Sequence, residues 1–252
     1  MKAFIKLRGI ELGKGRPKIA VPIVGKNAKD ILEMTAKVKK IKPDIIEWRI
    51  DFFDRVMDMQ LLKTLGQQLR IAIGDLALLT TFRTKSEGGE KIASDEEYFE
   101  ICRNILEAGF TDALDIERYR DVKNVKEITR EAHDKGIVTI MSNHNFSETP
   151  TVAEIVKKLT NMVDDGADVA KMAVMPNSVE DVLTLLNATN IANQSLSQPI
   201  ITMSMGNLGK ISRISGEIFG SCVTFATVGA ASAPGQIALE NMKLSLEDLK
   251  LD

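Results

Sequence analysis

The chain has 252 residues but only two cysteines and two histidines, and that shortage removes whole classes of chemistry. Cys102 and Cys222 are far apart and flanked by core-like residues, so they read as buried free thiols in a reducing compartment, not as a disulfide. No Cys and His fall at metal-ligand spacing. The only histidines are His133, expected on a helix surface, and His144, which disfavours a metal-dependent hydrolase. No apolar run approaches about 18 residues, and the N-terminus lacks the apolar core of a signal peptide, so no membrane span and a cytoplasmic location are expected. Charge of one sign is also missing: 33 basic residues meet 35 acidic ones, and no basic tail suggests nucleic acid as a partner. There is no low-complexity segment and no linker, so one domain over residues 1–252 is expected.

What is present is a strand-then-helix rhythm. A short hairpin is predicted at the start, where the stretch from Ala3 to Leu7 alternates, Ile10 to Leu12 returns, and Gly13-Lys14-Gly15-Arg16-Pro17 breaks the pattern. Strands are predicted over 19–24, 45–50, 76–82, 113–116, 137–141, 169–174, 200–203 and 222–225. Helical periodicity covers 28–39, 60–71, 96–108, 122–132, 152–163, 179–188 and 237–249, with Asp30, Asp95, Asp121 and Thr151 near helix starts. The seventh helix is weak, because 206–216 is short and rich in glycine. Eight strands at intervals of about 30 residues predict a (β/α)8 TIM barrel with an N-terminal β-hairpin. The competitor, an open doubly wound sheet, lacks its glycine-rich phosphate turn: Ile23-Val24-Gly25-Lys26-Asn27 follows the first barrel strand.

In such a barrel the site is built where strands end. Strand two carries Glu47-Trp48-Arg49-Ile50-Asp51, and period two puts Glu47 and Arg49 on one face. Strand three leads into Thr81-Phe82-Arg83 and Glu87-Gly88-Gly89-Glu90, and strand four ends in Asp115-Ile116-Glu117. Met141-Ser142-Asn143-His144-Asn145-Phe146 follows strand five, and Lys171 lies inside strand six. Strand seven ends in Met203-Ser204-Met205; Ser232 and Gln236 lie in the loop after strand eight. Taken singly, Glu47 and Arg49 read as a structural salt bridge and His144 as a loop cap. Arg213 reads as a surface or helix arginine, and Met203 and Met205 as core or a flexible apolar wall. Lys171 resists such a reading. Amid Ala173 and Val174 it sheds hydration, which favours the neutral amine that attacks carbonyls. A nearby imidazole moves protons near neutral pH. The pair points to imine chemistry on a small carbonyl substrate.

These motifs, together with Lys171-Met172-Ala173-Val174-Met175-Pro176, Pro199-Ile200-Ile201-Thr202-Met203-Ser204-Met205, Ile211-Ser212-Arg213, Gly216-Glu217-Ile218-Phe219-Gly220-Ser221 and Ser232-Ala233-Pro234-Gly235-Gln236, resemble the type I 3-dehydroquinate dehydratase family over nearly the whole chain. The resemblance implies a Schiff-base lyase of the shikimate pathway with no metal and no organic cofactor. Lys171 would form the imine with 3-dehydroquinate, His144 would move the protons, and Glu87 would hold the His144 ring and favour its protonated form. Arg213 would grip the substrate carboxylate. Glu47, Arg49 and Arg83 would line the ring hydroxyls, and Ser232 and Gln236 would come from a loop that closes over the substrate. A homodimer is also implied.

Three positions depart from the family pattern: Val21-Pro22 where a small hydroxyl residue is expected, Asn145 in place of aspartate, and Gly229-Ala230 where relatives often carry lysine. Two other functions remain open at this point. A class I aldolase would use a similar lysine but would want a phosphate cradle after strands seven and eight. A binding protein on a retained barrel would hold a sugar acid without turnover.

Overall fold

The computed structural model describes residues 3–229 and 233–251. Two antiparallel strands open the chain, β1 (Ile5–Leu7) and β2 (Ile10–Leu12). Eight parallel strands follow: β3 (Lys18–Ile23), β4 (Ile45–Arg49), β5 (Ala77–Thr81), β6 (Ala113–Glu117), β7 (Val138–Asn145), β8 (Val169–Val174), β9 (Ile200–Ser204) and β10 (Val223–Thr227). Successive strands pair in register from β3 to β9, and β10 pairs with β3. The ring closes between β9 and β10 at one point, where Ser221 bridges Ile200 and the Cys222 amide donates to the Ile200 carbonyl at 2.8 Å. This is a (β/α)8 barrel with an N-terminal hairpin.

Period two along each strand sorts residues between two cores. Ala20, Ile45, Ala77, Ala113, Ile140, Val169, Ile201 and Val223 face the barrel interior, where Leu7 and Leu12 of the hairpin join them. The hairpin thus plugs the end of the barrel where the strands begin. Alternate residues such as Ile46, Trp48, Leu114, Met141 and Met172 face outward into the helices. The inward set turns from aliphatic to polar along the strands: Ile45 gives way to Glu47 and Arg49, Ala113 to Asp115 and Glu117, Ile140 to Ser142 and His144. The aliphatic end is the plug and the polar end is the mouth.

The helices are α1 (Ala28–Ile41), α2 (Met59–Ile73), α3 (Asp95–Ala108), α4 (Val122–Asp134), α5 (Val152–Asp164), α6 (Val179–Ser195), the short α7 (Lys210–Ile214) and α8 (Gly216–Phe219), and α9 (Leu239–Asp248). Asp121 and Thr151 cap α4 and α5 as expected. Asp30 and Asp95 do not cap. Asn27 and Ser94 accept the first free amides of α1 and α3 instead, and Asp95 binds Arg120 at 2.5 Å. The weak seventh helix is two short helices, and residues 237–238 begin the last unit as a short strand, β11 (Ile237–Ala238), ahead of α9. No helix among the described residues is long and apolar enough to cross a membrane. Both cysteines are buried and neither is in a disulfide.

One helix glycine is held by packing. A Cβ on Gly66 of α2 would lie 2.4 Å from ring carbons of Phe110, which itself packs on Trp48 with ring centroids 5.7 Å apart. Alanine would add about 1 kcal/mol of helix propensity, but overpacking typically costs about 1–3 kcal/mol. Gly66→Ala is therefore expected to lower the denaturant midpoint; an unchanged or higher midpoint would show that the Phe110 ring gives way.

Candidate active site

A cavity opens at the mouth of the barrel, lined by charged side chains on one side and apolar ones on the other. Glu47, Arg49 and Thr81 line one side, and Arg83, Glu87 and His144 the next. Lys171 and Arg213 complete the charged groups; Ala173, Met203, Met205 and Phe225 supply apolar wall, and Ala233 and Gln236 reach in from the last loop. The described residues to which the resemblance gives a site role therefore meet in one place, together with Met203 and Met205. Ser232 lies outside the described residues.

Lys171 is buried on β8, and its Nζ donates to Asp115 Oδ2 at 3.0 Å and sits 4.8 Å from the Phe225 ring centre. The buried lysine is thus ion-paired with a carboxylate from β6. Asp115 was legible only as a strand-end acid and is a central member of the site. It also accepts from Arg83 at 2.7 Å and from Ser142 Oγ at 2.6 Å. Burial pushes the Asp115 carboxyl up, but Arg83, then Lys171 and His144, outweigh it and hold it well below the usual carboxylate range. The signal for it was strand period: Asp115 and Glu117 share the inward face, as Glu47 and Arg49 do.

Arg83 faces three carboxylates, Asp115 at 2.7 Å, Glu117 at 3.2 Å and Glu87 at 3.5 Å. Burial works against its charge, yet these acids hold its pKa above the ordinary value. Its guanidinium is already occupied by these acids, so the expected contact with ring hydroxyls has to share it. The Glu47–Arg49 salt bridge expected of an isolated pair is not the one formed. Arg49 makes a two-pronged contact to Asp51 at 2.8 and 2.7 Å, while Glu47 accepts from Thr81 Oγ1 at 2.9 Å.

Glu87 Oε2 meets His144 Nδ1 at 2.9 Å and accepts from the His144 amide at 3.1 Å; Asn143 Nδ2 donates to Oε1 at 3.1 Å. Burial pushes the Glu87 carboxyl up to about 7, against the pull of Arg83. Burial, with Arg83 and Lys171 adding to it, pushes His144 well below its ordinary value, although Asp115 pulls the other way. Burial above all, then Arg83 and Lys171, thus works against the protonated imidazole that Glu87 is expected to favour. With Nδ1 turned to Glu87, Nε2 is the nitrogen left for the cavity.

Arg213 on α7 is buried and pairs with no acid among the described residues. One Nη donates to the Pro234 carbonyl at 3.0 Å, the other lies 3.9 Å from Met203 Sδ, and Nε has no partner. Burial alone lowers its pKa to about 10. A buried guanidinium without a counter-ion is a site for an anion that arrives from outside. Pro234 also accepts from the Gly206 amide at 3.3 Å, which ties this end of the last loop to the strand carrying Met203 and Met205.

The three departures have physical outcomes. Pro22 is buried on β3, opposite Glu47 in register, and is absent from the cavity lining. Asn145 caps the turn after β7, its Oδ1 accepting from the amides of Ser147 and Glu148. Ala230 lies outside the described residues. His133 sits on α4 with its Nε2 3.0 Å from Asp168. Among the described residues no group of three or more histidines, cysteines or acids is placed to hold a metal ion.

Comparison with known proteins follows this geometry. Residues 19–251 match the model of the type I 3-dehydroquinase family. The chain is 66% identical to a 3-dehydroquinate dehydratase of Lactiplantibacillus plantarum over 252 residues, all of both chains. It is 44% identical to one from Clostridioides difficile, covering 96% of this chain and 95% of the other. Among solved structures, a type I 3-dehydroquinate dehydratase from Clostridium difficile carrying covalently modified comenic acid superposes with a TM-score of 0.96, at 44% identity and 99% and 98% coverage. The 3-dehydroquinate dehydratase of Enterococcus faecalis superposes with a TM-score of 0.93, at 38% identity and 98% and 100% coverage.

Proposed function

The chain belongs to the type I 3-dehydroquinase family, and from that premise we propose that it removes water from 3-dehydroquinate, in the shikimate pathway, through an imine on Lys171. The observation that carries the proposal is the meeting, in one cavity, of a buried lysine, an imidazole held at Nδ1 by a carboxylate and a buried guanidinium without a counter-ion.

Arg213 takes the substrate carboxylate, and this fixes the ring across the cavity. Glu47, Arg49 and Gln236 contact the ring hydroxyls, and Met203 and Met205 close the apolar side. The Lys171 amine, released from Asp115 and relieved of a proton by His144, adds to the C3 carbonyl. The adduct's hydroxyl takes the proton that His144 holds and leaves as water, giving a protonated imine and a free His144 base. His144 Nε2 then takes a proton from C2, and the C–H electrons move into the iminium to give an enamine. The enamine electrons return to expel the C1 hydroxyl, which leaves as water with the proton His144 holds. Water hydrolyses the remaining imine, giving 3-dehydroshikimate and free Lys171. The lysine supplies the electron sink, so the scheme requires no other cofactor.

Two expected results test the assignments. Arg213→Ala removes one charge-assisted contact, so KM should rise roughly 10- to 100-fold with kcat changed far less. An unchanged KM would contradict the carboxylate role. The Glu87–His144 pair gains a proton as pH falls through the value near 7 held by Glu87, and the protonated pair has no free base. Hence kcat/KM should decline below about pH 7, and a flat profile down to pH 5 would contradict a base held by this pair. Appearance of the conjugated enone on mixing the chain with 3-dehydroquinate tests the reaction itself.

A further inference from the structure

Asn143 stands next to the histidine that the proposed reaction uses, yet that reaction leaves it without a role. Its amide is held from both ends. Nδ2 donates to Glu87 Oε1 at 3.1 Å, and Oδ1 accepts from Lys158 Nζ at 3.0 Å. Lys158 belongs to α5, on the outer side of β7, and lies outside the cavity lining. Only one orientation of the amide suits both partners. A flip would set its NH2 against an ammonium and its oxygen against a carboxylate.

We propose that Lys158 is a positioning residue for the Glu87–His144 pair and acts through the Asn143 amide. It rests on the proposed reaction only in that His144 supplies the kinetic readout. Charges of both signs bear on Glu87, and the Asn143 hydrogen bond is one of the contacts that favour its carboxylate. Arg83 at the end of β5 favours the carboxylate; Glu117 and Asp115 on β6 oppose it; His144 and Asn143 reach it from β7. Lys171 on β8 and Arg49 on β4 bear on the His144 ring. Lys158 in turn is faced by Glu154 one turn earlier and by the Tyr119 ring, 4.8 Å from Nζ. With the ammonium gone, nothing prevents the amide oxygen from turning toward Glu87, which then holds its proton to higher pH.

The test compares Lys158→Met, which keeps the stem and removes the donor, with Lys158→Arg, which keeps a cation, and with Lys157→Met, which removes an equal charge from the exposed neighbour. The acidic limb of kcat/KM should move up by about 0.5–1 pH unit in Lys158→Met, the free-energy scale of one ordinary hydrogen bond. The alkaline plateau should stay within about twofold of wild type, and the other two variants should superimpose on it. An unmoved limb in Lys158→Met, a plateau that collapses without a shift, or an equal shift in Lys157→Met would each overturn the proposal. The His144 ring signals, read by NMR against the single other histidine, give the same answer without turnover. Their inflection should move up in Lys158→Met, and no movement overturns the proposal even if the wild-type chain fails to dehydrate 3-dehydroquinate, a failure that would count against the reaction instead.

Discussion

Lys171→Ala is expected to reduce dehydration to the uncatalysed background. An alanine offers no nucleophile, so no imine forms and the C2 proton keeps the low acidity of an ordinary α-proton. The fold should survive the change. Asp115, the lysine's partner, keeps Arg83 at 2.7 Å and Ser142 at 2.6 Å, so its carboxylate is not left unpaired in the interior. Arg213 is untouched, and carboxylate ligands should still bind. The check is the enone absorbance of the product at high enzyme concentration, beside a thermal melt. A folded variant with appreciable turnover would remove the lysine from the mechanism.

The second large effect is expected at His144. Removing a general base typically costs about 10²- to 10⁴-fold, and here one imidazole serves imine formation, C2 deprotonation and departure of the C1 hydroxyl. His144→Ala should therefore fall at or beyond the upper end of that range in kcat. Imine should still accumulate, because the amine that forms it remains. The acidic limb near pH 7 should vanish with the pair that produces it. Single-turnover mixing followed by reductive trapping separates the steps: adduct without product fits this role, whereas full product formation at the wild-type rate contradicts it.

The barrel was legible because parallel strands covered on both faces are short and continuously apolar, and because the helices between them keep a clear stripe. Its boundaries were legible only where that pattern lasts. The fifth barrel strand reads as ending at residue 141, yet β7 continues through Asn145, because Ser142, Asn143 and His144 face the site or its supports and carry no apolar signal. The sixth helix reads as ending at 188 but reaches Ser195, since Asn187, Asn190 and Asn193 interrupt the stripe that Ala188 and Ala192 still bury. Of the cavity, the lysine, histidine and arginines were visible as charge at strand ends. Which acid each would pair with was not. Arg49 turned to Asp51, and Lys171 found Asp115, which lies 56 positions away. Partner choice depends on how neighbouring strands stagger, and period along one strand holds no record of it. The surroundings of the His144 ring were hidden for the same reason: burial, and Arg83, Lys171 and Arg49 brought to it from other strand ends, together push its pKa down.

The central claim is a covalent bond between Lys171 and the substrate carbon. The most direct measurement is the intact mass of the chain after incubation with 3-dehydroquinate and borohydride, followed by peptide mapping. A single reduced adduct located on Lys171 is the predicted result. A mass unchanged under conditions in which the enone product appears would mean that dehydration proceeds without the imine, and an adduct mapped to another lysine would move the chemistry away from this site.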